Sequence, residues 1–239
     1  MTANATRVTL EVGDGTQMQA YVSRPDSPGP HPGIIVFQEA MGVNSQLRGV
    51  ADRYAQLGFV AIAPELFHRI EPGFETNELN MDVLMPFIRK MTADNFALDA
   101  AAAYKWLTTE GEVALDKVAA MGFCMGGRAA FVANSVVPLA AAISYYGSGI
   151  APALLDRVPK LHGAHLFFWG GRDKGIPPVQ RRAVADAMRE AGKKFVDVEF
   201  SDCDHVFFNQ TVPARYNEAA AKQSWALGIA FLQENLGIH

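Results

Sequence analysis

Cys124 stands between two glycines, in Gly122-Phe123-Cys124-Met125-Gly126, at the end of the apolar run "KVAAMGF". This is the G-x-nucleophile-x-G pattern of a strand that turns sharply into a helix, with cysteine where serine usually stands. Small flanking residues leave room for a strained turn in which a nearby Cβ would clash. The turn also sets the sulfur over a helix N-terminus, whose partial positive charge favours thiolate. A buried cysteine ahead of a glycine-rich helix start has the same pattern, so the reading needs partners. The phosphate-cradling patterns G-x-G-x-x-G and G-x-x-x-x-G-K-[ST] are both absent around it.

The partners follow in the order nucleophile, acid, histidine, each in a loop after a strand-like run. In "AHLFFWGGRDKGIPP" the run ends at Trp169, two glycines turn the chain, and Asp173 follows. In "FVDVEFSDCDHVFFN" the run ends near Phe200 and His205 lies in the next loop. The other histidines are poorer candidates. His31 is in a Pro-rich loop, His165 within a strand and His239 at the end of the chain, while His68 and His162 precede the acid. Asp202 and Asp204 beside His205 read as a solvated acidic turn. A thiol attacking an acyl carbon gives a thioester, which water activated by His205 would hydrolyse. The oxyanion would be held by the backbone N–H of Met125 and by one near Ala40, in the loop after "GIIVF". That loop, "VFQEAMGVN", also places Glu39 directly after a buried strand, either as a structural partner of an arginine or as part of the chemistry.

These residues need a frame. Val8, Leu10 and Val12 alternate, and "MQAYV" follows the turn signal "GDGT", which predicts a hairpin. After the loop "SRPDSPGPHPG", continuous apolar runs at 34–37, 60–63, 118–122, 140–146, 165–169 and 195–200 predict strands covered on both faces. Between them lie helical stretches at 44–58, 92–110, 126–136, 177–192 and 216–236. Asn44 and Thr92 are N-cap candidates, and Pro177 and Pro178 suit a first turn. Residues 66–92 are less regular and read as a lid or excursion over the site. The pattern predicts one α/β domain over 1–239, with a mostly parallel sheet after an antiparallel start.

Among the 239 residues, 49% are hydrophobic and 19% charged, and the formal net charge is −4. No basic field exists to hold nucleic acid or anionic lipid. The N-terminus lacks the apolar core of a signal peptide, and the apolar runs fall short of a membrane span. Two cysteines, Cys124 and Cys203, fit a reducing compartment. The expectation is a cytoplasmic protein acting on a small-molecule lactone or ester, monomeric by default with a dimer possible. No cofactor is expected and no metal: Cys203-x-His205 supplies two ligands at most.

Cys124 in G-x-C-x-G, Glu39 in "QEAMGVN", "APELFHR" at 63–69, Asp173 in "WGGRD" and His205 together resemble the dienelactone hydrolase (carboxymethylenebutenolidase) family, over almost the whole chain. The resemblance implies the α/β-hydrolase fold, with about eight strands, helices on both faces and no large cap. It implies hydrolysis of an enol-lactone such as 4-carboxymethylenebut-2-en-4-olide to maleylacetate. It also implies a resting neutral thiol hydrogen-bonded to Glu39, whose carboxylate moves to take the thiol proton when substrate binds. Two arginines hold the substrate carboxylate in such enzymes. Arg69 matches the first, as carboxylate ligand or as ordinary surface arginine, and Asn209 stands where the second is expected. Phe207 and Phe208 line a more apolar pocket or belong to the core. Rival readings are a carboxylesterase or thioesterase on another small acyl group, a non-catalytic binding protein on the same fold, and a redox sensor pairing Cys124 with Cys203.

Overall fold

In the computed structural model, residues 4–109 and 113–238 are described; His239 lies outside them. The strands are β1 (Asn4–Glu11), β2 (Gln17–Arg24), β3 (His31–Phe37), β4 (Val60–Pro64), β5 (Val113–Phe123), β6 (Ala141–Tyr145), β7 (Ala164–Gly170) and β8 (Phe195–Phe200). The helices are α1 (Ser45–Gln56), α2 (Met81–Lys90), α3 (Ala93–Thr109), α4 (Met125–Val136), α5 (Pro178–Glu190) and α6 (Glu218–Leu236). Among the described residues the eight strands form one sheet, in the order β1-β2-β4-β3-β5-β6-β7-β8. The β1–β2 and β2–β4 pairs are antiparallel; every other pair is parallel.

β4, β6 and β7, read as continuous apolar runs, are buried along their whole length. The run at 195–200, expected to be covered on both faces, is not: β8 ends the sheet and none of its residues is buried, and the other edge strand, β1, is largely exposed. The period of two along β6 shows how both faces are covered. Ile143 and Tyr145 point to Gly228 of α6, while Ser144 between them donates to the Gly127 carbonyl of α4. α1 joins α6 on the first face through the Tyr54 and Trp225 rings, 4.8 Å apart.

The predicted caps form. Asn44 accepts from the Leu47 N–H at 3.1 Å. Thr92 and Asn95 cap each other's backbone N–H, each at 3.1 Å. Pro177 precedes Pro178 in the first turn of α5. Segment 66–92 departs from the irregular excursion expected of it, because it contains α2, capped by Asn80. Pro86 sits inside α2, and an internal proline ordinarily speaks against a helix.

A buried polar network links β6, β7 and α4 beneath the Cys124 turn. Ser144 uses its only proton on the Gly127 carbonyl at 2.6 Å, so His165 Nε2, 2.9 Å away, must be the donor to it. His165 Nδ1 then accepts from Asn134 Nδ2 at 3.3 Å. Burial disfavours the charged ring and holds its pKa down to about 3. The unfolded chain takes up the second ring proton below its ordinary pKa of about 6.5. His165 therefore costs stability as pH falls from there, by about 1.4 kcal/mol per unit for this one proton. Nitrogen-detected NMR should find His165 still a neutral Nε2–H tautomer at about pH 5; a protonated ring there would refute the assignment.

Candidate active site

β5 ends at Phe123 and α4 begins at Met125, which leaves Cys124 alone at the turn with φ 55° and ψ −118°. This is a left-handed backbone that non-glycine residues seldom adopt, and such strain gathers at functional sites. The Cys124 N–H donates to Tyr145 O at 3.0 Å, and Cys124 O accepts from Arg128 N at 3.2 Å. The flanking glycines are demanded by space. A Cβ on Gly122 would lie 2.1 Å from Gly126 O, and one on Gly126 would lie 2.4 Å from both Gln38 O and Phe37 O. The turn is thereby pressed against the loop that follows β3.

Asp173 and His205 sit after β7 and β8. His205 Nδ1 is 2.6 Å from Asp173 Oδ2, and Asp173 Oδ1 accepts from the Gly175 N–H at 2.8 Å. Burial works against the Asp173 charge, yet these bonds keep its pKa below the ordinary value. Burial likewise opposes a charged His205, but the Cys124 sulfur and Asp173 more than offset it and push the imidazole up to about 10. With Nδ1 committed to Asp173, Nε2 is left for Cys124. Asp204 turns back to accept from the His205 backbone N–H, so it does not orient the ring.

Glu39 is buried, with Oε1 accepting from Tyr146 OH and Oε2 from Asn209 Nδ2, each at 2.8 Å. Burial pushes its pKa up despite those two bonds. The resting Cys124–Glu39 hydrogen bond implied by resemblance is not formed among the described residues, where the donors to Glu39 are Tyr146 and Asn209. The polar neighbours of Cys124 Sγ are instead His205 and Ser148 Oγ, the latter at 4.0 Å. No arginine pairs with Glu39 among the described residues. Met125 and Ala40 are buried, and neither N–H donates to another backbone group among the described residues.

Three expected substrate contacts are committed to other partners within the fold. Arg69 is held by Asp14 at 2.6 Å and by the fully buried Asp99 at 2.8 Å; its charge is spent on a buried carboxylate away from Cys124. Asn209 spends its amide nitrogen on Glu39 and its oxygen on Thr211. Phe207 is a core residue, packed on Tyr146 and Phe200 at 5.3 Å each. The residues that sequence reasoning missed are Tyr146, Ser148 and the apolar side of α2. The strain at Tyr146, with φ 38°, appears only in three dimensions. Cys124, His205, Asp173 and Glu39 open together on a cavity of about 670 Å³, walled by Leu79, Met81, Met85 and Ile88. That size suits a small ligand.

The chain is similar in sequence and in fold to known proteins. A model of the dienelactone hydrolase family matches residues 18–236. Two bacterial proteins named "Putative carboxymethylenebutenolidase" are similar. The one from Synechocystis sp. is 30% identical over 218 residues, covering 87% of this chain and 88% of its own. The one from Salmonella typhimurium is 31% identical over 228 residues, covering 91% and 83%. The crystal structure of a "Putative Dienelactone Hydrolase" from Klebsiella pneumoniae is 27% identical with a TM-score of 0.87, over 97% of this chain and 99% of that one. A dienelactone hydrolase-like promiscuous phosphotriesterase from metagenomic libraries is 25% identical with a TM-score of 0.82, over 96% and 98%.

Proposed function

The chain belongs to the dienelactone hydrolase family of ester and lactone hydrolases, and from that premise we propose that it cleaves a small lactone or ester through Cys124, His205 and Asp173. The observation that carries this reading is the Cys124–His205–Asp173 array opening on one cavity. In the first half-reaction the thiol proton passes to His205 Nε2, a transfer favoured by the raised pKa of the imidazole, and Sγ attacks the carbonyl carbon. The Met125 and Ala40 N–H groups receive the oxyanion. Collapse breaks the ester C–O bond, and the leaving oxygen takes the proton from His205. Water then attacks the thioester, His205 accepts its proton, and collapse frees the acid and returns the proton to sulfur. Asp173 holds the ring tautomer and the imidazolium throughout.

Glu39 makes no hydrogen bond to Cys124 among the described residues and is held by Tyr146 and Asn209. It shapes the cavity wall beside Ala40, with Tyr146 and Asn209 as its supports.

The test is turnover of 4-nitrophenyl acetate and of cis- and trans-4-carboxymethylenebut-2-en-4-olide, followed by mass spectrometry of the acid-quenched protein. An acyl group on the Cys124 peptide is expected; turnover without one, or an acyl group on another residue, overturns the thioester path. Asp173→Asn should lower kcat/KM about 100-fold with the fold intact, because the histidine loses its enforced tautomer. A second reading, a carboxylesterase or thioesterase on another small acyl group, is favoured by the commitment of Arg69 to Asp14 and Asp99. Turnover of the simple ester without the lactones would select it. The redox-sensor reading is disfavoured by Cys203: burial and the neighbouring Asp202 push that thiol up to about 11, which makes it a poor resolving nucleophile.

A further inference from the structure

We propose that the cavity wall formed by Met41, Leu79, Met85, Ile88 and Val206 is a chain-binding face, so that the preferred substrate is an ester or lactone bearing an unbranched apolar chain of medium length beside its scissile bond. This rests on the hydrolase reading and deepens it by naming a substrate class and the residues that select it.

The wall is continuous from the loop after β3 to the histidine. Ala40, Met41, Leu84 and Val206 belong to one buried apolar cluster, against which Leu79 and Ile88 pack. α2 adds a stripe of its own. Met81, Met85 and Ile88 line the cavity, at the spacing that puts side chains on one face of a helix. Leu84 and Phe87, on the adjoining face, are buried, and Phe87 stacks on Phe74 with ring centroids 4.2 Å apart. The helix is thus seated by one stripe while the other stays open. Met81 is exposed, and Met85 and Ile88 are half-buried. Apolar surface left uncovered beside a nucleophile is surface that a ligand can bury, and methionine adapts its shape to what it covers.

Backbone contacts fix this wall to the catalytic loops. The Thr76 N–H donates to Met41 O at 3.0 Å and Asn44 Nδ2 to Thr76 O at 2.9 Å, which ties the segment leading into α2 to the loop of Glu39 and Ala40. Val206, next to His205, holds φ 69°, a backbone that β-branched residues seldom adopt and that persists only where its surroundings over-determine it. Its side chain is buried in the same cluster and lines the cavity. Charge has no comparable built site there. Arg69 and Asn209 are bonded within the fold and do not line the cavity, while Lys174 and Arg215 are exposed, where solvent screens them.

The test measures kcat/KM for 4-nitrophenyl acetate, butanoate, hexanoate and octanoate, and for methyl, butyl and hexyl acetate by titration of the released acid. In wild type at least one series should rise, by about threefold for each methylene that the wall covers. A rise among the 4-nitrophenyl esters places the chain on the acid side of the bond, and a rise among the acetates places it on the alcohol side. The ratio of the hexyl or hexanoate ester to the shortest of its series should fall several-fold in Met85→Gln, which keeps the volume and makes the stripe polar. It should fall further in Met85→Gln/Ile88→Thr, chiefly through KM. Val83→Thr is the control, since Val83 lies on α2 but outside the cavity lining, and the ratio should hold there. Constants that stay flat or fall with length in both series overturn the chain-binding wall alone. So does a ratio unmoved in the double variant while turnover still requires Cys124, or an equal loss in Val83→Thr. If no ester is turned over, or if Cys124→Ala leaves turnover unchanged, the hydrolase reading fails and takes the wall with it.

Discussion

Replacing Cys124 by alanine is expected to lower hydrolysis of 4-nitrophenyl acetate at least about 10⁴-fold, because no other nucleophile stands at the turn and the loss of one triad member removes nearly all covalent catalysis. Glycine at the same position should be equally inactive, but the two variants should differ in stability. Residue 124 sits at φ 55°, a backbone that costs an L-residue roughly 1–2 kcal/mol and glycine almost nothing. Against that, glycine gives up about 0.5–1 kcal/mol more chain entropy on folding. The net gain of Cys124→Gly over Cys124→Ala is about 1 kcal/mol, or roughly 2–4 °C in melting temperature for a chain of this size. Calorimetry beside the ester assay checks both halves. An alanine variant that keeps more than about a hundredth of wild-type activity would remove Cys124 from the chemistry. A glycine variant that melts lower than the alanine one would show that the strain is not held by the residue's φ.

The parts of this site that sequence reasoning recovered are those fixed by local pattern. Cys124 lies between glycines whose absence of Cβ is demanded by the backbone of Gly126, for Gly122, and of Phe37 and Gln38, for Gly126, and that demand leaves a trace in the sequence. Asp173 and His205 each follow a buried strand, and their order along the chain matches the order in which β5, β7 and β8 present their ends to one edge of the sheet. Glu39 was legible because a carboxylate directly after an apolar run needs a reason. Its partners were not, since Tyr146 lies 107 positions away and Asn209 170. The same distance misled the reading of Arg69: Asp14 is 55 positions off, and the bond between them belongs to tertiary packing. One signal was available there. Asp99 lies on the buried side of α3, where a carboxylate has to find a cation. α2 escaped notice because Pro86 breaks the expected pattern, although Asn80 caps its start.

The second large effect concerns the fold that holds the turn, and Gly126→Ala is expected to produce a protein that does not fold to the native state or melts at least about 10 °C lower. The added Cβ would stand 2.4 Å from the carbonyl oxygens of both Gln38 and Phe37. These are backbone atoms at the end of the central strand β3, so no side-chain rotation relieves the clash, and overpacking against rigid atoms commonly costs 1–3 kcal/mol or more. Two such contacts at one atom put the loss at the upper end or beyond. The displacement would also reach function, since the loop of Gln38, Glu39 and Ala40 carries one of the two amides assigned to the oxyanion. Gly49 is the counterpart. It lies within α1, has no atom within 4 Å of its ideal Cβ, and helical alanine is favoured over glycine by about 1 kcal/mol. Gly49→Ala should therefore raise the melting temperature by a few degrees with kcat/KM unchanged. If thermal unfolding ranked the two variants alike, the tight contact between the Cys124 turn and the β3 loop would not exist in solution. If Gly126→Ala folded normally yet lost most of its activity, that contact would serve to place the Ala40 amide rather than to hold the sheet together.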